Sequence, residues 1–184
     1  TIEFWMKKLA SSYNSTDKEV ILDLWNGQGF TGDYSRLVLE TFDDGSGTKK
    51  MAITISTGGV STSTTFTIGT AETDWNHYAI SVIDGAAASS GQGATNGGKL
   101  SAQLDEFRFW KTRRTSRQIK LNWFREIGGG ANTDDNTSDL GVYLKFNEGI
   151  TGTSSIDSKV LDYSGRLANG LWVGYSNTTS ARST

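Results

Sequence analysis

Residues 100–124, L-S-A-Q-L-D-E-F-R-F-W-K-T-R-R-T-S-R-Q-I-K-L-N-W-F, change periodicity halfway along, and that change restricts the fold more than any other feature of the chain. In the first half Leu104, Glu106, Arg108 and Trp110 fall on one face of a strand, with Asp105, Phe107 and Phe109 on the other. In the second half Thr115 followed three residues later by Gln118 is a capping box, in which hydroxyl and amide each satisfy a free backbone N–H. Ile119, Trp123, Phe124 and Ile127 then recur at helical spacing, and Gly128 to Gly130 supply the stop. The spacing predicts a helix from about Ser116 to Ile127, docked through Ile119, Trp123 and Phe124. No other stretch has a helical period, so the class is all-β with one short α-helix.

The remaining segments alternate with period two. Ile2, Phe4 and Met6 oppose Glu3, Trp5 and Lys7, and Glu19 to Asn26 is a nearly continuous apolar strand. Arg36–Phe42 and Lys49–Ser56 flank the turn Asp43-Asp44-Gly45-Ser46-Gly47 and read as a hairpin. Strands are also expected at Thr62–Ile68, Trp75–Ile83 and Leu140–Asn147, with a short extended piece at Val160–Tyr163 and a last strand at Leu171–Tyr175. With no proline and 22 glycines, turns fall to Gly, Asn, Asp and Ser, and strands keep every donor. Residues 85–98 are rich in Gly, Ala and Ser and read as a flexible loop.

A chain of 184 residues suits a single domain. The absence of cysteine excludes disulfides and thiolate metal sites. A net charge of −2 argues against a general nucleic-acid binder, and no apolar run reaches the length of a membrane span. Thr1 opens directly on a strand pattern and the end is rich in Ser and Thr, so the chain reads as a piece of a longer polypeptide.

The strand L-D-E-F-R-F-W, the basic turn K-T-R-R and the helix start S-R-Q-I resemble the D-E-V-R-I-Y … S-x-x-E-I signature of laminin G-like, concanavalin A-like jelly rolls. T-I-E-F-W-M-K, V-I-L-D-L-W, D-W-N-H-Y-A-I-S-V and Y-L-K-F-N-E-G … V-L-D-Y-S-G-R … N-G are similar to further segments of that family, in the same order. The resemblance spans roughly two-thirds of the chain and implies an antiparallel jelly-roll β-sandwich. The combination of L-D-E-F-R-F-W-K-T-R-R-T-S-R-Q-I, N-W-F-x-x-x-G-G-G-x-N-T-D and Y-L-K-F-N-E-G-I-T-G more specifically resembles such domains in virion structural proteins of large tailed bacteriophages. That implies a non-enzymatic structural or decoration module in the virion, with other virion proteins or copies of itself as partners and surface glycans as a further contact. The alternative is a calcium-assisted carbohydrate-binding or adhesion domain of a secreted, extracellular bacterial protein, and a third is a glycoside hydrolase remnant.

Glucanases of related fold carry acids on alternate residues of one strand, whereas Asp105 and Glu106 are adjacent and must face opposite ways. They are read as structural, alongside Arg108, Thr115, Gln118 and Trp123. His77, the only histidine, cannot form a His-pair metal site and reads as a packed strand residue. Calcium suits oxygen-rich loops, and Asp134, Asp135, Asn136 and Asp139 make the densest one, with Asp43 and Asp44 a second. Neither follows a known calcium-loop spacing, so a solvated loop is preferred to an ion site and no cofactor is required. Trp5, Trp25, Trp110 and Trp123 are core candidates by pattern.

Overall fold

The computed structural model describes residues 1–8, 18–29, 32–68, 74–81, 100, 102–127, 138–147 and 159–171. The expected loop 85–98 lies outside them. The fold is all-β, with two antiparallel four-stranded sheets and one short helix, the makeup expected of a β-sandwich. The chain divides into two compact units, one of Thr1–Lys7, Trp75–Ile83 and Gln103–Thr184, the other of Lys8–Asp74 and Asp84–Ala102.

The second unit holds a meander, β2 (Glu19–Trp25), β3 (Ser35–Asp43), β4 (Lys49–Thr57) and β5 (Val60–Thr67), paired in chain order. The β3–β4 hairpin closes at Asp43↔Lys49, as the turn residues predict. The β4–β5 hairpin closes at Thr57↔Val60 through Gly58 and Gly59, whose φ values of 55° and 85° are those of a type I′ turn. The strand therefore starts at Val60, before the expected Thr62. Val38 and Leu39 on β3 and Met51, Ala52 and Ile53 on β4 are buried, and so are Glu40, Thr41 and Thr54. Neighbouring positions on both faces of the central strands are thus covered.

The first unit is built from strands that lie far apart in sequence. β1 (Ile2–Lys8) lies between β6 (Asn76–Ile80) and β7 (Ala102–Trp110), and β8 (Leu140–Leu144) pairs with β7. Two short strands, β9 (Lys159–Val160) and β10 (Gly170–Leu171), form a separate antiparallel pair. Ile2, Phe4 and Met6 are buried as their alternation requires, and Phe4 stacks on Tyr78 at 5.4 Å. A second cluster joins Trp110, Ile127, Leu140 and Tyr143, with Tyr163 against it. β8 stops at Leu144, short of the expected Asn147, because Phe146 takes a left-handed φ of 56° and turns the chain.

The helix α1 (Ser116–Asn122) follows β7 directly. It ends before the expected Ile127, and none of its residues is buried. Trp123, expected in the core, is 38% exposed, and Phe124, expected to dock the helix, is 61% exposed. Trp25, also expected in the core, is 58% exposed at the end of β2, where its indole N–H donates to the Gln28 carbonyl. Trp110 is buried. No helix among the described residues is long and apolar enough to cross a membrane.

Candidate functional site

On β7 the backbone of Glu106 takes a left-handed φ of 51°, its carboxylate meets Arg108, and the segment after the strand lies against Arg108. The Arg108 guanidinium is fully buried. Its Nη1 donates to the Asn122 carbonyl at 2.9 Å, and its Nη2 donates to the Arg125 carbonyl and to Glu106 Oε2. The last carbonyls of a helix have no partner within it and carry partial negative charge, so a buried cation satisfies both needs. Glu106 in turn accepts from the Tyr143 hydroxyl, whose oxygen accepts from the Ile127 amide. Burial, then the bond to Glu106, raises the Tyr143 pKa well above its usual value. The connection from α1 to Ile127 is thereby tied to β7 and β8 by polar groups.

Arg114 lies over the Trp110 ring at 3.8 Å and donates through Nη2 to the Gln118 carbonyl. Its Nε is 3.6 Å from Glu3 Oε1, and His77 Nε2 is 3.6 Å from Glu3 Oε2. Glu3 is 1% exposed. Burial pushes its carboxyl above the usual range, and the charges of Arg114 and Arg108 offset part of that. A raised carboxyl beside histidine is a familiar acid-base arrangement, but a general acid must reach its substrate within hydrogen-bond distance. Glu3 is instead enclosed between Arg114 and His77. His77 is pushed down to about 4 by burial and by the Arg108 charge.

Asp105 meets this network at the backbone of Glu106. Its Oδ1 accepts from the Glu106 amide, and burial followed by the neighbouring Glu106 charge raises its pKa. The capping box at the other end of α1 is formed by Thr115 and Gln118: Gln118 N donates to Thr115 Oγ1 at 3.3 Å and Thr115 N donates to Gln118 Oε1 at 2.8 Å.

Of the oxygen-rich loop, Asp134, Asp135 and Asn136 lie outside the described residues. Asp139 accepts from the Thr112 hydroxyl, and its carbonyl accepts from the Lys111 amide. The second cluster is a built turn: Asp43 accepts from the amides of Gly45 and Gly47 and from Lys49, and Asp44 from the amide and hydroxyl of Ser46. Among the described residues no three metal-ligating side chains are grouped.

Asp162 organises a loop that the sequence reading did not single out. Its carboxylate accepts from the amides of Tyr143, Ser164 and Ala168 and from the Ser164 hydroxyl. Burial works against its charge, but these donors outweigh it and leave the pKa lowered. The D-x-S-G run was the available signal, since such a carboxylate caps the amide two residues on.

Outside the polar network the same segment presents an aromatic ledge. Trp5 and His77 are register partners on β1 and β6, with rings 5.5 Å apart. Trp123 lies 5.3 Å from Trp5 and 6.1 Å from His77, and Phe124 meets Trp123 edge-on at 5.4 Å. The Trp5 indole N–H donates to the Trp123 carbonyl, which fixes the outer rings over the inner ones. Leu121 in α1 is 55% exposed, and Arg125 stands 5.7 Å from the Phe124 ring. The ledge comes from three separate stretches of chain, so no local motif announces it. Compared with family models, curated proteins and solved structures, the chain matches none.

Proposed function

We propose that this chain is a non-enzymatic module that contacts surface glycans through the Trp5–His77–Trp123–Phe124 ledge and is carried in many copies on a bacteriophage virion. The observation that carries the binding half is the ledge itself: partly exposed rings held in place by an indole hydrogen bond, beside the Arg125 cation. Flat apolar rings beside polar donors suit the apolar face and hydroxyl rim of a pyranose. The non-enzymatic half is supported by the engagement of the β7 acids, Glu106 with Arg108 and Tyr143 and Asp105 with a backbone amide. The virion half rests on the resemblance of residues 104–119, 122–134 and 143–152 to laminin G-like phage domains.

A glycan panel read by tryptophan fluorescence tests this on the isolated chain and on the chain coupled to beads, with and without a calcium chelator. Binding is expected to be weak in isolation and about 10²–10⁴-fold stronger on beads, because linked sites act at high effective concentration. Phe124→Ala removes an exposed ring and is expected to abolish binding without unfolding the chain. Binding that survives Phe124→Ala rejects the ledge. Loss with chelator supports the calcium-assisted alternative, and turnover of any β-glucan by the wild type overturns the non-enzymatic reading.

A further inference from the structure

From Phe107 to Arg125 the sequence holds seven cations and no acid, in a chain whose net charge is −2. Two of the seven, Arg108 and Arg114, are buried and bound to carbonyls of the segment that follows β7. The other five, Lys111, Arg113, Arg117, Lys120 and Arg125, are exposed. Among the described residues none of these five has a carboxylate in ion-pair range, whereas Lys18, Arg36, Lys49, Lys50 and Lys145 each have one. Glu126, the first acid after the run, is itself held by Lys145 at 3.0 Å. Helix stability does not account for the arrangement. Lys120 in the last turn suits the dipole of α1, but Arg117 in the first turn opposes it and stands three residues from a like charge.

Arg117, Lys120 and Leu121 recur at spacings of three and four on the exposed face of α1, while Gln118, Ile119 and Asn122 are partly covered. Because Trp123 keeps helical dihedrals, Phe124 continues the exposed row, about 10 Å along the axis from Arg117. One short row thus joins unpaired cations to the outer ring of the ledge. We infer that the glycan bound there is acidic, a polysaccharide whose carboxylate, sulfate or phosphate groups meet Arg117 and Lys120 while a sugar ring packs on Phe124. The inference rests on the glycan reading of the ledge and adds what aromatic rings cannot select, the charge of the sugar. Nucleic acid also brings anions and rings, but its binders carry a basic surface overall, and here the cations are gathered on one segment of a chain with a net charge of −2.

The full chain coupled to beads tests this with matched pairs: polygalacturonate and its methyl ester, dextran sulfate and dextran, and a lipopolysaccharide core with its phosphates and without them. At least one acidic member is expected to bind more tightly than its neutral partner and to weaken as salt screens the exposed charges. The pair that responds tells carboxylate from sulfate and phosphate. The double variant Arg117→Gln, Lys120→Gln, which leaves every ring of the ledge in place, is expected to lower that binding about tenfold with an unchanged circular dichroism spectrum. The matched pairs on the wild type decide the matter if the double variant fails to fold. A neutral member bound as tightly as its acidic partner, or full acidic binding by the folded double variant, overturns this inference alone, and loss of that same binding in Phe124→Ala shows that the ledge reading stands. A panel in which nothing binds, or a DNA duplex bound as tightly as the best polysaccharide, overturns both.

Discussion

Arg108 places a charge where solvation is lost, and it is tolerated there because its planar fork meets two carbonyls and a carboxylate. Replacing it with Met would leave Glu106 and the carbonyls of Asn122 and Arg125 without that donor. Breaking a buried pair in this way costs about 3–5 kcal/mol, to be read from the urea midpoint and slope of folded Arg108→Met. Arg108→Lys is not expected to recover that loss, because one ammonium cannot reproduce the fork. A midpoint restored to the wild-type value by lysine would show that charge alone suffices. Alternation predicted that Glu106, Arg108 and Trp110 share a face, and Glu106 indeed contacts Arg108. The partners of Arg108 on the far side were not legible, since backbone carbonyls leave no mark in sequence. The same holds for Glu3, whose buried place opposite Arg114 follows from strands more than a hundred residues apart.

Seven residues are too few for an independently stable helix, so α1 depends on its ends. Its start was readable because a capping box lies within four consecutive residues. Its end was not, because Trp123 keeps helical dihedrals of −58° and −29° while the next carbonyls are taken by Arg108 instead of a glycine-based stop. The periodicity of Ile119, Trp123 and Phe124 then suggested core, although the two aromatics face outward and Ile127, beyond the helix, is the buried anchor. With Trp123 38% exposed, Trp123→Ala is expected to cost about 1–2 kcal/mol, while Ile127→Ala costs about 2–5 kcal/mol as a core truncation. Paired urea titrations check the order, and a larger loss for Trp123 would restore the docking role first read from its spacing. The β3–β4 hairpin was legible through its five-residue turn. The Gly58–Gly59 turn sits in a weakly apolar stretch, which hid its strand start.

For the molecule as a whole, the His77 cluster sets a pH dependence. His77 is neutral above 6.5 whether folded or unfolded, and its contribution is present there. As pH falls from 6.5 toward about 4, the unfolded chain takes a proton that the folded chain refuses, so stability is lost. The loss is at most about 3 kcal/mol. Glu3 works the other way: its raised carboxyl contributes most below 4.5, and that contribution is lost as pH rises through the folded value. The His77 contribution is expected to fall between pH 7 and pH 5, read as the difference in pH slope between the wild type and His77→Phe, which keeps a ring against Trp5 and Trp123. An unchanged slope in the variant would remove His77 from the account. The all-β class and the single helix were legible because they rest on local periodicity, whereas the grouping of strands into sheets depends on distant partners. That difference has a kinetic side. The meander β2–β5 joins sequence neighbours, so its contacts are local and do not wait for distant segments. β1, synthesised before any of them, must wait for β6 and β7, the latter beginning at residue 102. The apolar Ile2, Phe4 and Met6 of β1 therefore stay without their sheet neighbours while the whole meander is being made, which exposes them over a long stretch of synthesis.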